Sequence, residues 1–385
     1  MRAAVQTVRR ALPVVAVALM VAAGCTTPPP AGLPYCPVRS EVTLEPADPV
    51  NYSLVRAVSP DGGWVVLSHV EGDQLVLTLR EVSAGSVPLR VGSLPYPAAP
   101  ATYPPMVSVT SGGDQVAFGF AGTAAYPGAA TEQLYRWTRS SGTVTELAPP
   151  PVVHPPEGVQ YPSNARRLSA DGTRAIWTNA FYVAPYGWNY VLTVVDLSTG
   201  QTVSQLPYTY DQAGILDGTT SSDARLLTNS TGQFDTTTGA VRLLTPELDA
   251  AQAHYGGGRW SAVASSASGR WVLVQAGAFG ASNRTVNALV DSTSGVVSEL
   301  PSGNLGSSIT LTDQGAMVVS VESAASSAVY VRDADGAVHV LVDRALAPTW
   351  PEFSAPRLGA SADTRTVVFS TVEAVGNRLA AERCT

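Results

Sequence analysis

The residue types that most often carry catalysis are few and scattered in this sequence. The four histidines (His69, His154, His254 and His339) show no His-Glu-x-x-His spacing, and neither a Cys-x-x-Cys pair nor a Gly-x-Ser-x-Gly motif occurs. Zinc-peptidase and serine-hydrolase chemistry therefore have no support. All 23 basic residues are arginines, which excludes Schiff bases and lysine-dependent phosphate loops. The sequence predicts no metal or other cofactor.

The histidines divide by position. His154 and His254 fall in long polar segments, where an imidazole can titrate near neutral pH. His69 and His339 fall in apolar runs typical of strands, so we interpret them as ordinary sheet-face residues. The net formal charge of −7 comes with no basic face, which argues against nucleic-acid binding.

The N-terminus has the three parts of an export signal. Residues 1–10 are basic, residues 11–24 are apolar apart from Pro13, and small residues precede Cys25, an order typical of secretory signals. The segment Ala22-Ala23-Gly24-Cys25 resembles the bacterial lipobox, with Ala22 in the place of the usual leucine. This resemblance implies a palmitate-type lipid on Cys25 and a cell-membrane lipoprotein anchored on the extracytoplasmic side. The alternative is an ordinary secretory signal in which Cys25 has no role.

The two remaining cysteines lie at opposite ends of the rest of the chain. We interpret 1–24 as the signal peptide, 25–35 as the lipidated cysteine and a proline-rich tether, and 36–385 as a single domain. Because an exported protein meets an oxidising environment, Cys36 and Cys384 are predicted to form a disulfide. Two free thiols are the alternative.

A short turn followed by an apolar strand recurs along the whole domain. This first turn, rich in Ser, Asp and Gly, occurs seven times, at residues 59–63, 111–114, 169–172, 221–223, 266–269, 312–315 and 361–363. A second turn follows about 25 residues later in six copies, at 81–85, 139–142, 196–200, 235–239, 291–295 and 333–336. Such residues favour tight hairpins, and the β-branched runs beside them favour strands. Asp61, Asp171 and Asp363 are therefore interpreted as turn formers.

Seven units of four strands predict an all-β fold, a seven-bladed β-propeller of antiparallel blades, since stacked blades bury each other's faces. A tandem of β-sandwiches is the alternative. The Ser-x-Asp-Gly and Asp-x-x-Thr-Gly turns resemble the repeats of TolB-like, WD40-like (PD40-type) propellers of the bacterial cell envelope, which implies a fold but no activity. The last unit lacks a second turn, so we predict that Val42, Thr43 and Leu44 complete it beside residues 378–383. The propeller is expected to be monomeric.

The long segments are predicted to gather on one side of the propeller, opposite the tight turns. They span 93–105, 119–132, 149–163, 181–190, 207–217, 247–259 and 276–284, and no helical periodicity of useful length is found after Cys25. Aromatic residues concentrate there, which suits recognition of a partner. The candidate binding residues are Tyr96, Tyr103, Tyr126, His154, Tyr182, Tyr186, Trp188, Tyr190, Tyr210, Asp211, His254 and Tyr255.

Three functions are compatible with this organisation. The first is a lipid-anchored binding or scaffold protein for a protein, peptide or glycan. The second is a cell-envelope enzyme of hydrolase or lyase type with its site at the central channel. The third is a purely structural envelope protein. The scarcity of catalytic motifs favours the first.

Overall fold

A computed structural model of the protein describes residues 39–48, 53–95, 105–120, 134–153, 156–160, 164–184, 187–209, 219–256, 258–279, 284–322, 326–345, 357–373 and 376–384. Backbone contacts divide the chain into residues 1–34 and 35–385, and the described residues all belong to the second unit. In that part of the chain, none of the helices has the length and apolarity needed to cross a bilayer.

The described strands form seven antiparallel sheets, which confirms the predicted seven-bladed β-propeller. Strand β1 is Arg39–Asp48, and blade 1 holds β2 (Leu54–Val58), β3 (Trp64–Glu71), β4 (Gln74–Glu81) and β5 (Leu89–Pro95). Blade 2 holds β6 (Pro105–Val109), β7 (Gln115–Phe120), β8 (Leu134–Thr138) and β9 (Thr143–Leu147). Blade 3 holds β10 (Val159–Gln160), β11 (Asn164–Leu168), β12 (Arg174–Val183), β13 (Gly187–Asp196) and β14 (Thr202–Thr209).

The remaining strands follow the same order. Blade 4 holds β15 (Thr219–Thr220), β16 (Leu226–Thr228), β17 (Gly232–Asp235) and β18 (Val241–Leu243). Blade 5 holds β19 (Trp260–Ser265), β20 (Trp271–Phe279), β21 (Arg284–Asp291) and β22 (Val297–Leu300). Blade 6 holds β23 (Asn304–Leu311), β24 (Met317–Glu322), β25 (Ser326–Arg332) and β26 (Val338–Ala345). Blade 7 holds β27 (Arg357–Ala360), β28 (Thr366–Glu373) and β29 (Gly376–Cys384).

Strand β1 is the outermost strand of blade 7. It runs antiparallel to β29, with Val42 opposite Ala381 and Arg39 opposite Cys384. Its side chains also reach both neighbouring blades. Glu45 accepts a hydrogen bond from Arg80 of blade 1 at 3.0 Å, and Arg39 lies 3.7 Å from Asp333 of blade 6.

The core is divided among the junctions between blades. One apolar cluster lies between blades 7 and 1, around Leu44, Val65 and Leu379. Equivalent clusters join blades 1 and 2, 2 and 3, 3 and 4, 5 and 6, and 6 and 7. Each sheet is therefore buried by its neighbours, which is why the alternating and continuous apolar runs of the sequence form one propeller.

The first turns are held by a repeated hydroxyl contact. The residue after the innermost strand is Ser or Thr, and its buried oxygen accepts the backbone N–H at the start of the next strand. Examples are Trp64 N to Ser59 Oγ at 2.9 Å and Thr366 N to Ser361 Oγ at 2.9 Å. In blades 1, 4 and 7 the nearby aspartate accepts from the same hydroxyl, at 2.5 Å for Asp61. The interpretation of Asp61, Asp171 and Asp363 as turn formers is confirmed.

One helix contradicts the sequence analysis. The expectation of no helix after Cys25, with 247–259 as a loop, is wrong, because α1 spans Thr245–Tyr255. Pro246 and Glu247 in its first turn are ordinary helix-start signals. The helix shows no clear apolar stripe, and it is held instead by tertiary contacts of Leu248 and Ala251 with blade 5.

Candidate ligand-binding face

The longest hairpin of the described residues belongs to blade 3. Strands β12 and β13 have ten residues each, and they are paired from Arg174–Asp196 to Val183–Gly187. The prediction of a long loop over 181–190 is therefore wrong. Phe181, Tyr182, Trp188 and Tyr190 have high strand propensity, and they extend the hairpin through most of this segment.

Alternation along this hairpin separates its aromatic residues. Phe181 is buried with 1% of its surface exposed, on the face that packs toward blade 2, whereas Tyr182 is 38% exposed. Tyr182 lies directly opposite Trp188, with ring centroids 5.1 Å apart. Trp188 in turn stacks with Tyr190 at 6.4 Å and an interplanar angle of 23°. These three side chains form one continuous surface, which we call the aromatic triad.

The triad lies on the face of blade 3 that is directed toward blade 4. Lower on the same face, Ile176, Leu192 and Val194 pack against Leu227 and Phe234 of blade 4. Strand β12 has ten residues whereas its equivalent β16 has three. At about 3.3 Å per residue, blade 3 thus extends roughly 20 Å beyond the end of β16. The described strands of blade 4 are too short to reach Tyr182 and Trp188, whereas Tyr190 is half-buried and packs against the cluster between the two blades.

Helix α1 lies on the other side of blade 4, where it packs against blade 5. Its last turn carries two predicted site residues, His254 and Tyr255, whose rings meet edge to face at 4.6 Å. Tyr255 also packs against Trp260 at 5.5 Å, and burial, together with the charge of Glu299, raises the pKa of the Tyr255 phenol. His254 is exposed. Tyr255 is therefore a partly buried support, and His254 is the accessible residue of this pair.

The structure thus brings two groups of predicted residues to the blades on either side of blade 4. The triad comes from blade 3, and His254 with Tyr255 comes from the segment that joins blades 4 and 5. The other predicted residues lie outside the described ones. These are Cys25, Cys36, Tyr96, Tyr103, Tyr126, His154, Tyr186, Tyr210 and Asp211.

No group of three or more His, Cys, Asp or Glu side chains that could hold a metal ion occurs among the described residues. His69 lies on β3 beside Glu71 at 2.8 Å, and His339 lies on β26 with Asp333 at 2.9 Å. Both histidines are therefore sheet residues, as the sequence indicated, and each has a carboxylate neighbour.

The sequence analysis missed one recurring feature. In blades 1 and 3, an arginine stands three residues before the first-turn serine, as Arg56 before Ser59 and Arg166 before Ser169. Both arginines lie on the innermost strand of their blade. The spacing from the first-turn serine is visible in the sequence, but only the strand order shows that these positions lie on the innermost strands.

The fold and the candidate face define a β-propeller with a long aromatic hairpin in blade 3. No protein-family model matches the sequence, and no relative is found among curated proteins. Solved structures do match. The oligogalacturonate lyase of Vibrio parahaemolyticus is 10% identical with a TM-score of 0.51, covering 89% of this chain and 93% of the lyase. An oligogalacturonate lyase in complex with manganese is 11% identical with a TM-score of 0.51, covering 90% of this chain and 98% of the lyase.

TolB is also among the matching structures. TolB from Acinetobacter baumannii is 15% identical with a TM-score of 0.38, over 76% of this chain and 63% of TolB. At these identities the two lyase comparisons show a shared fold and do not transfer a substrate or a partner.

Proposed function

We propose that this protein is a binding or scaffold protein that recognises a protein, peptide or glycan through the aromatic triad of blade 3. The observation that carries the proposal is the length difference between blades 3 and 4. It leaves Tyr182 and Trp188 on a part of the sheet face beyond the described strands of blade 4, while Tyr190 at the lower end of the triad packs against the core between the two blades. Tyrosine and tryptophan provide large, rigid contact surfaces with a polar group at the edge, which suits recognition.

The rigidity of the hairpin supports this proposal. All ten residue pairs of β12 and β13 are in register, and Phe181 and Trp177 anchor the opposite face with 1% exposure each. A partner would therefore meet a surface that is already ordered, so little conformational entropy would be lost on binding.

We propose that the protein is anchored to the extracytoplasmic side of the cell membrane by a lipid on Cys25. The support is the lipobox-like segment Ala22-Ala23-Gly24-Cys25, which follows a basic and then an apolar stretch.

Partner binding is tested with the variant Tyr182→Ala/Trp188→Ala of the full chain. Wild-type protein is purified from solubilised membranes with its bound partners, and it is also titrated with soluble cell-wall glycan fragments while tryptophan fluorescence is followed. We expect the double variant to lose the stoichiometric partner or the glycan response. Leu243→Ala is the matched control, since it removes an apolar side chain that is 65% exposed on β18. Equal binding by the double variant and the control would overturn the proposal.

Anchoring is tested separately by mass spectrometry of the mature protein. A diacylglyceryl-type mass on Cys25 and release of Cys25→Ser from membranes are the expected results. A mature chain that lacks lipid would refute the anchor, while the binding proposal would stand.

An enzyme is the second candidate, because the fold resembles that of oligogalacturonate lyases. The described residues contain no group of acids and histidines that would hold the manganese of the second lyase structure. Incubation with oligogalacturonate and with cell-wall polysaccharide distinguishes the candidates. An unsaturated or shortened product that forms at an enzymatic rate would favour the enzyme.

A further inference from the structure

The junction between blades 4 and 5 is built differently from the other junctions. Its apolar cluster contains Leu244, residues of α1 and residues of blade 5 such as Val272, Val274 and Val290, and it contains no residue of the described strands β15–β18. The other six clusters each join two sheets. Helix α1 lies against all four strands of blade 5. A helix therefore covers this face of blade 5 in the place where the other junctions have a sheet.

Hydrogen bonds also join blades 4 and 5 directly. The inner strands β15 and β16 lie against β19. Thr228 Oγ1 lies 2.6 Å from Ser265 Oγ, and the N–H of Ala262 donates to the carbonyl of Ser230 at 2.9 Å. Neither contact involves α1, so both can hold the two blades together when the helix moves.

Helix α1 has few features that would stabilise it by itself. It has 11 residues, and isolated helices shorter than about 12–15 residues are marginal in water. Its N-cap is Leu244, whose side chain makes no capping hydrogen bond. The residues that pack on blade 5 are Leu248, Ala250, Ala251 and Tyr255. The helix therefore depends on contacts with the rest of the propeller.

One ion pair joins the first turn of α1 to blade 4. Glu247 is 2% exposed, and its Oε1 accepts from Nη2 of Arg242, which lies on β18. Gln233 of the same blade fixes this arginine, since its Oε1 accepts from Nη1 at 2.9 Å. A carboxylate buried without its cation is costly, so the pair favours the position of α1 on blade 5.

The same carboxylate is only partly compensated. Oε2 of Glu247 is buried and has no hydrogen-bond partner among the described residues. Burial of an unsatisfied acceptor opposes the closed position, because water would solvate that oxygen in the open one. The ion pair and the unsatisfied oxygen therefore act in opposite directions on the same helix.

Three consecutive glycines connect α1 to β19. They are Gly256, Gly257 and Gly258, and φ is +87° at Gly256 and +141° at Gly258. Glycine adopts either sign of φ readily, so rotation of the backbone here costs little. Hinges of moving segments commonly consist of a few such residues at the end of an element.

We propose that α1 is a hinged cover of blade 5, which opens at the glycines while the propeller stays folded and which the pair of Arg242 and Glu247 holds closed. Opening exposes the apolar face of blade 5. It also moves His254 and Tyr255, so one side of the candidate ligand-binding face changes with the state of the cover. That last consequence rests on the proposed function, whereas the opening itself does not.

Amide hydrogen exchange of the full protein tests the opening. We expect the amides of residues 249–255 to exchange about tenfold or more faster than those of β20 and β21, because they need only a local opening. Low concentrations of urea are expected to speed exchange in β20 and β21 and to change that of α1 little, since a local opening exposes little surface.

Glu247→Gln tests the ion pair. It removes the charge with almost no change of shape, and we expect exchange throughout 249–255 to be about fivefold to tenfold faster, since a charge-assisted hydrogen bond is roughly twice as strong as a neutral one. Asp249→Asn is the matched control, because it makes the same charge change at an exposed position of the same helix. Arg242→Lys is a second test, since it keeps the charge and loses the paired donors.

Two results would overturn the proposal. One is that α1 exchanges at the same rate and with the same urea dependence as β20 and β21. The other is that Glu247→Gln and Asp249→Asn change the exchange of α1 equally. Tyr182→Ala/Trp188→Ala is expected to leave the exchange of α1 as in the wild type, whether or not the triad binds a partner. Failure of the triad proposal is therefore distinguishable from failure of this one.

Discussion

At the scale of single residues, the second turns show how one aspartate joins local geometry to stability. Asp291 accepts from Arg270 Nη2 at 2.7 Å and Nε at 3.1 Å, and from the N–H of Thr293 at 2.9 Å. The pKa of the Asp291 carboxyl lies well below its usual range, mainly because Arg270 donates hydrogen bonds to it. The carboxylate itself is only 6% exposed, whereas Arg270 is 49% exposed.

This pair predicts a component of acid sensitivity. A depressed folded-state pKa stabilises the protein above the unfolded pKa of about 3.9, and that stability is lost as the pH falls below it. Asp291→Asn keeps the turn acceptor and is expected to lower the free energy of unfolding at pH 7 by about 1 kcal/mol. Urea unfolding between pH 7 and 3 measures this. The variant should lose less stability on acidification than the wild type, and Asp73→Asn on an exposed turn is the charge control.

If Asp291→Asn and the wild type had parallel stability curves down to pH 3, the ion pair would make no contribution. The interpretation of the turn would then rest on the Thr293 hydrogen bond alone.

At the scale of elements, contacts between blades explain why some first turns contain a glycine. Gly113 has φ of +67°, and a Cβ there would lie 2.6 Å from Cγ of Trp64 in the preceding blade. Gly315 has the same relation to Trp271, at 2.6 Å from Cε2. The glycine is therefore required for two reasons: the turn needs its positive φ, and the tryptophan of the preceding blade occupies the space that a Cβ would fill. Local turn propensity explains only the first reason.

A matched pair of substitutions separates these two effects. Gly142 also has a positive φ, +64°, but its Cβ position has nothing within 4 Å. Gly142→Ala is expected to cost roughly 1 kcal/mol for the left-handed conformation. Gly113→Ala is expected to cost a further 1–3 kcal/mol or so for overpacking against Trp64. Urea unfolding of both variants checks this, and equal losses would contradict the blade contact.

Blade 7 departs from the glycine rule at Thr364. This residue has φ of +62° although it is β-branched and only 3% exposed. Thr364→Gly is expected to raise the free energy of unfolding by about 1 kcal/mol, because left-handed backbone costs a non-glycine residue about 1–2 kcal/mol. Thr237→Gly, at an exposed turn position without positive φ, should instead lower it by roughly 0.5–1 kcal/mol. Thermal unfolding of both variants and the wild type measures these changes. Destabilisation by Thr364→Gly would show that the contacts of the threonine side chain outweigh the strain of its left-handed backbone.

At the scale of the whole molecule, the two ends of the described chain meet in blade 7. Arg39 lies opposite Cys384, and Cys36 precedes Arg39 by three residues. The predicted Cys36–Cys384 disulfide would fasten β1, whose Leu44 belongs to the core between blades 7 and 1. Closing so long a chain segment restricts the unfolded state strongly.

Reduction or Cys384→Ser is therefore expected to lower the free energy of unfolding by about 2–5 kcal/mol. Denaturant unfolding with and without a reductant measures the effect. Cys384→Ser supplies the control, since reductant should not destabilise it further. A wild-type mass that shows two free thiols would refute the disulfide.

Much of this architecture was predictable because its determinants are local. Ser59, Asp61 and Gly62 form their turn through contacts within a few residues, so seven such turns predicted seven blades, and the missing second turn marked blade 7 as incomplete. Helix α1 was not predictable from an apolar stripe, because contacts of Leu248 and Ala251 with blade 5 hold it. The segment 181–190 was predicted to be a long loop, but the strand propensity of its aromatic residues prevailed and it forms a hairpin.

The sequence by itself determined the blade number, the turn chemistry and the presence of an aromatic segment, since each depends on neighbours along the chain. Only the tertiary structure decided that blade 4 is too short to cover Tyr182 and Trp188. Likewise, only the strand order placed Arg56 and Arg166 on the innermost strands. Both outcomes depend on which blades become neighbours and how far each extends, and the repeated turns, being alike in every blade, carry no information about either.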